Sequence, residues 1–141
     1  MHEVNDVTAM NDINTTTMGM ADFSERGLIH QTTDELEPWL REKSRTMYIG
    51  FDPTADSMHI GHLMQVMTLR RFQQAGHRPI ALIGGATGMI GDPSGKSQER
   101  NLLTVEQLSA NTAALKGQME SFLDFEESGG DAILANNLDW M

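Results

Sequence analysis

The chain has 141 residues, 39% of them hydrophobic and 21% charged, the size and balance of about one globular domain able to bury a core of its own. A formal net charge of −10 excludes bulk electrostatic attraction to a nucleic-acid backbone, and the absence of cysteine excludes disulfides and thiolate metal sites. No apolar run approaches the roughly 20 residues that a bilayer requires, and the first residues lack a secretory pattern, so a cytoplasmic protein without membrane contact is expected.

Residues 1–20 carry Met, Asn, Thr and Asp with no periodicity and read as a flexible leader, leaving 21–141 as the folded part. Two short helical pieces follow. ADFSERG closes on Gly27, and TTDELEPWLREKS has Thr33 or Asp34 as its N-cap, with Pro38 tolerable only in the first turn. Thr46 to Phe51 is a short apolar run ending in Gly-Phe-Asp-Pro, a buried strand that delivers its carboxyl end to a loop. HIGHLMQVMTLRRFQQAG then reads as a helix from His59 with Gly76 as its stop. The adjacent Arg70 and Arg71 read as a solvated face.

PIALIGG, Pro79 to Gly85, is a second strand of the kind found in parallel sheets, and GGATGMIGDPSGKSQER is a long Gly-rich loop. Thr104 to Phe125 has helical spacing at Leu108, Leu115, Met119 and Phe122 and opens with a capping box from Thr104 to Gln107. DAILANN supplies a third strand. Strands alternating with helices, and Gly-rich turns at strand carboxyl ends, predict a doubly wound α/β fold whose ligand crevice lies above those ends.

Two loops carry the chemistry. His59 and His62 share a helical face, and Asp52 or Asp56 could add oxygen, but a third fixed ligand is lacking and no metal site is assigned. One packed and one exposed histidine is the plain alternative. The stretch Gly91-Asp-Pro-Ser-Gly95-Lys96-Ser97 ends like a phosphate loop, yet three residues separate its glycines where that motif needs four, and Asp92 would face the phosphate. A helix beginning near His59 fits an anion better: its free N–H groups and dipole face the charge, Gly61 admits a flat base or ribose, and a histidine can donate to phosphate oxygens.

HIGH at the start of the helix after the first strand resembles the signature of class I aminoacyl-tRNA synthetases. YIGFDPTADSMHIGHL, ALIGGATGMIGDPSGKSQER, ERGLIHQTTDE and NNLDWM are similar to the bacterial-type tyrosyl-tRNA synthetases, and the resemblance covers about Ser24 to Met141. It implies the first half of a Rossmann-like nucleotidyl-transferase sheet, with 21–141 as the N-terminal part of a catalytic nucleotide-binding domain truncated before its second half.

It implies a ligase that joins L-tyrosine to ATP as tyrosyl-adenylate, with Mg²⁺ accompanying ATP, and passes the product to tRNA(Tyr) in a full-length homodimer. Thr54 and His59 would hold the departing phosphates, with Lys96 and Arg100 as cations of a loop that clamps pyrophosphate. Gly50, Asp52, Gly61 and His62 would lie along the nucleotide. Tyr48, Thr87 and Asp92 would meet the amino acid, Asn137 bracing Asp92. Gln65 and the Met-rich LMQVM depart from the family pattern. A catalytically silent ATP- or tyrosine-binding or structural fragment, needing a complementary chain, is the alternative.

Overall fold

The computed structural model describes residues 20–90, 103–126 and 129–141. The leader expected over 1–20 lies outside them except for Met20, which already belongs to a helix, α1, over 20–25. The order that follows is α2 (Leu36–Glu42), β1 (Thr46–Phe51), α3 (Ile60–Gln74), β2 (Arg78–Ile83), α4 (Gly85–Ile90), α5 (Val105–Met119), β3 (Ile133–Asn136) and a single 3-10 turn, Asn137–Asp139. The strands form one parallel sheet ordered β1-β2-β3, the α/β arrangement expected.

Local chemistry explains most boundaries. Gly76, at φ 83°, turns the chain out of α3 in the left-handed region where glycine carries no Cβ penalty. Thr104 opens α5 with the expected capping box, its hydroxyl accepting from Gln107 N–H at 3.2 Å while the Gln107 side chain accepts from Thr104 N–H at 3.0 Å.

Other boundaries move. The N-cap of α2 is neither Thr33 nor Asp34 but Glu35, left-handed at φ 61° and without a side-chain cap bond. This shift still leaves Pro38 in the first turn, where its missing N–H costs nothing. The Gly-rich segment is not loop throughout, because Gly84 leaves β2 and Gly85–Ile90 coil into α4. α5 ends at Met119, well short of Phe125, which instead bridges to Ala132.

One face of the sheet carries the core. Phe51, Ala81 and Ile83 pack with Val66 and Leu69 of α3 and with Met119, Leu123 and Phe125, all nearly or fully buried. Each large aliphatic group there contributes about 1.5–3 kcal/mol of transfer free energy. The other face is less covered. Parallel register aligns Tyr48 with Ile80 and Ile133, and Gly50 with Leu82 and Ala135. Tyr48 is 68% exposed, and the four aliphatic residues beside it are half-buried.

The two arginines of α3 are structural ties rather than a solvated face. Arg71 donates from Nε to Asp22 at 2.6 Å, beside a Phe23–Phe72 ring contact at 5.3 Å, which fastens α1 onto α3. Arg70 donates to the Phe122 carbonyl at 2.8 Å. Among the described residues no helix is long and apolar enough to cross a membrane.

Candidate active site

The first turn of α3 is built around one imidazole. His59 is the N-cap, extended at φ −89° and ψ 173°, and its Nδ1 accepts the backbone N–H groups of Gly61 at 3.1 Å and His62 at 3.3 Å. Serine and aspartate do the same with an oxygen, satisfying amides that a helix start leaves without carbonyl partners. A Cβ on residue 61 would stand 2.9 Å from Cε1 and 3.0 Å from Nδ1 of that ring. The missing Cβ at Gly61 therefore makes room for the His59 ring. Two of the N–H groups at this helix start, those of Gly61 and His62, are engaged by the cap.

This bonding fixes a tautomer. Because Nδ1 receives two donors it presents a lone pair, so in the neutral ring the proton resides on Nε2. His59 is exposed, and that Nε2–H is its donor. Behind it His62 is 9% exposed, stacked on His59 with ring centroids 3.7 Å apart and set edge-on to Phe51 at 6.0 Å. Burial, reinforced by the neighbouring His59 and opposed by Asp52, holds the His62 pKa below its ordinary 6.5. Its Nδ1 is buried without a hydrogen-bond partner among the described residues.

The strand ends bring the remaining groups together. Thr87 Oγ1 and Asp52 Oδ1 both lean over Gly84, where a Cβ would meet them at 2.6 and 2.8 Å. Thr87 also donates to the Gly84 carbonyl at 3.0 Å. Across the sheet Asn137 Oδ1 accepts from Ala86 N–H at 2.8 Å and so holds the start of α4. The sequence singles out Asn137 but not Asn136, whose Oδ1 would lie 2.3 Å from a Cβ on Gly85. Its signal was a doubled Asn at a strand's carboxyl end.

Gly50 faces open space, since a Cβ added there would have nothing within 4 Å, and Tyr48 stands exposed one residue pair before it. Thr54 lies on the exposed loop between β1 and α3. Asp92, Lys96 and Arg100 lie outside the described residues. A cavity of about 410 Å³ adjoins His59, walled by Met58, Ile60, Leu63, Gln118 and Phe122. Among the described residues no three His, Asp or Glu side chains gather as a metal site.

Comparison with known proteins places this geometry. A family model described as tRNA synthetases class I (W and Y) matches residues 40–141. The chain is 58% identical over 124 residues to the tyrosine–tRNA ligase of Geobacillus stearothermophilus, an alignment covering 86% of this chain and 30% of that protein. It is 57% identical over 134 residues to that of Rhodopirellula baltica, covering 94% and 30%. The chain thus spans about 30% of the length of these curated relatives. Among solved structures it is similar to a C-terminally truncated mitochondrial tyrosyl-tRNA synthetase of Aspergillus nidulans, with a TM-score of 0.67 and 29% identity over 94% of this chain and 44% of that one.

Proposed function

The chain belongs to the class I tRNA synthetases of the W and Y type, and from that membership we propose that it carries the phosphate-handling half of a tyrosine–tRNA ligase site. The reaction joins the carboxylate of L-tyrosine to the α-phosphate of ATP, forms tyrosyl-adenylate and expels pyrophosphate. No covalent enzyme intermediate is required, so the protein contributes positioning and charge stabilisation at a crowded phosphate.

The observation that carries this reading is the His59 cap. With Nδ1 engaged by Gly61 and His62, the ring is held in one orientation and one tautomer, and its Nε2–H is a preorganised donor. Such a donor costs little reorganisation as negative charge builds on the phosphate oxygens. Thr54 lies on the loop just before it and would share those oxygens. Gly61 and His62, in the first turn of α3, would lie along the nucleoside. Asp52 and Gly50, at the end of β1, would follow the nucleotide, and Tyr48 with Thr87 would meet the amino acid. Asp92, Lys96 and Arg100 complete the reading as ammonium partner and pyrophosphate clamp.

Mg²⁺ enters with ATP, since it keeps waters and binds through substrate phosphates with few protein ligands. Cytoplasmic location, tRNA(Tyr) and a second copy of the chain as partners belong to the same reading.

The test is tyrosine-dependent ATP–pyrophosphate exchange on the chain, with His59→Ala alongside. Exchange that the substitution abolishes supports the reading, and equal exchange in both overturns the transition-state role. A second reading is a silent fragment that binds or folds but needs a complementary chain. It predicts no exchange until such a chain is added.

A further inference from the structure

The loop at residues 52–58, which carries Thr54 and leads into His59, has no regular secondary structure, and Thr54 to Ser57 are exposed. Its internal tie is a Thr54 N–H to Asp52 carbonyl bond at 2.9 Å. Fixing backbone in such a segment costs about 1–2 kcal/mol per residue in entropy, so a single loop geometry needs external partners.

Those partners come from α5. The Gln118 side chain donates from Nε2 to the Asp56 carbonyl at 2.9 Å and accepts the Met58 N–H on Oε1 at 3.0 Å. A further contact from Nε2 to the Ala114 carbonyl at 3.2 Å orients the same amide. Two helical turns earlier, Asn111 Nδ2 donates to the Pro53 carbonyl at 2.9 Å. Leu108, Leu115 and Met119, on the adjoining stripe of α5, are buried. The helix is thus anchored in the core while its polar flank grips the loop at three backbone positions.

Met58 is the residue immediately before the capping imidazole, and Gln118 lines the same cavity as His59. We propose that Gln118, assisted by Asn111, is a positioning residue that sets the phosphate-binding loop and with it the place of His59. The inference rests on the synthetase reading for its catalytic consequence, though not for its structural one. A side-chain amide is suited to the task because it supplies a donor and an acceptor side by side. Leucine in its place removes both, and glutamate at matched length keeps the acceptor for Met58 while opposing the Asp56 carbonyl.

The experiment combines residue-resolved amide hydrogen exchange with pyrophosphate exchange on the whole chain. Gln118→Leu should raise the exchange rate of the Met58 amide about tenfold or more while Leu108 and Leu115 stay protected as in the parent. Gln118→Glu should retain Met58 protection. In pyrophosphate exchange Gln118→Leu should lower kcat about tenfold with KM for tyrosine changed by less than about twofold, the mark of lost positioning rather than lost binding. Unchanged Met58 protection in Gln118→Leu overturns the proposal, as does unchanged kcat once Met58 is deprotected. Should Gln118→Leu disturb α5 itself, Asn111→Ala decides: faster exchange at Thr54 supports the grip, and parent-like exchange there overturns it. A parent chain without activity, or His59→Ala with full activity, defeats the synthetase reading alone, because the Met58 pattern still answers for Gln118.

Discussion

His59 and His62 lie ring on ring, centroids 3.7 Å apart and planes 21° from parallel, while the His59 ring accepts the amides of Gly61 and His62. HIGH is therefore a self-capping unit. Its first histidine closes the helix start, its glycine leaves space for that ring, and its second histidine is the buried floor on which the ring rests.

His59 accordingly has two separable duties. His59→Ala should cost roughly 0.5–2 kcal/mol of stability, the usual worth of a lost N-cap. His59→Asn should recover most of that, because Asn caps well, while supplying no imidazole donor. Pyrophosphate exchange should fall in both. Urea unfolding and exchange kinetics on the pair check this, and an Asn variant with parent-like activity would refute the role of Nε2–H.

Gly61→Ala sets helix propensity against the cap. Alanine gains about 1 kcal/mol over glycine in a helix interior. Here its Cβ would stand 2.9 Å from His59 Cε1, so the ring must leave its cap position. The expected outcome is no net stabilisation together with reduced exchange activity. A variant about 1 kcal/mol more stable with full activity would show that the ring can shift freely.

Two histidines are buried in the neutral form. His77 is 1% exposed and accepts the Arg45 N–H on Nδ1 at 3.2 Å. Burial first, then the charges of His59 on His62 and of Arg45 on His77, hold both pKa values below the ordinary 6.5. Between the depressed native values and 6.5 the unfolded chain binds more protons, so stability rises with pH there. The contribution is complete above about 6.5 and is lost as pH falls beneath it. Urea midpoints at about pH 7.5 and 5.5 for the parent and His77→Gln isolate this from the carboxylates, since the variant should show a smaller drop. An equal drop in both would contradict it.

Gly85 and Asn136 should be coupled. A Cβ on residue 85 would meet Oδ1, Cγ and Nδ2 of Asn136 at 2.3, 3.0 and 3.1 Å, and the same Oδ1 accepts the Leu138 N–H at 3.1 Å. Gly85→Ala is expected to destabilise by about 1–3 kcal/mol through overpacking. The double variant with Asn136→Ala should be less destabilised than the sum of the singles. Strict additivity in denaturant unfolding would remove the contact from the account.

The sequence made the strand–helix alternation, the capping box at Thr104 and the position of the loops after Gly50 and Gly84 at strand carboxyl ends legible, because these follow from periodicity and from the geometry of parallel sheets, whereas Thr87 and Asn137 were reached through the family resemblance alone. What His59 does with Nδ1 was not legible. Histidine is an unusual N-cap, and the sequence pattern does not reveal which acceptor its amides find. α4 was hidden because Gly-Ala-Thr-Gly has weak helix propensity and is coiled by Asn137 holding Ala86, a partner 51 residues away. Gln118 and Asn111 were hidden for a related reason, as polar residues flanking an apolar helix stripe look solvated until their loop partners are located.

The lightly covered side of the sheet bears on how the protein can be assayed. Dyes such as ANS light up on apolar surface and serve as a mark of loosened, partly folded states. With Tyr48 68% exposed beside the half-buried Ile80, Leu82, Ile133 and Ala135, such a dye has a platform on the intact fold. Fluorescence gain would then report the native sheet, and near-ultraviolet circular dichroism is the sounder gauge of lost packing.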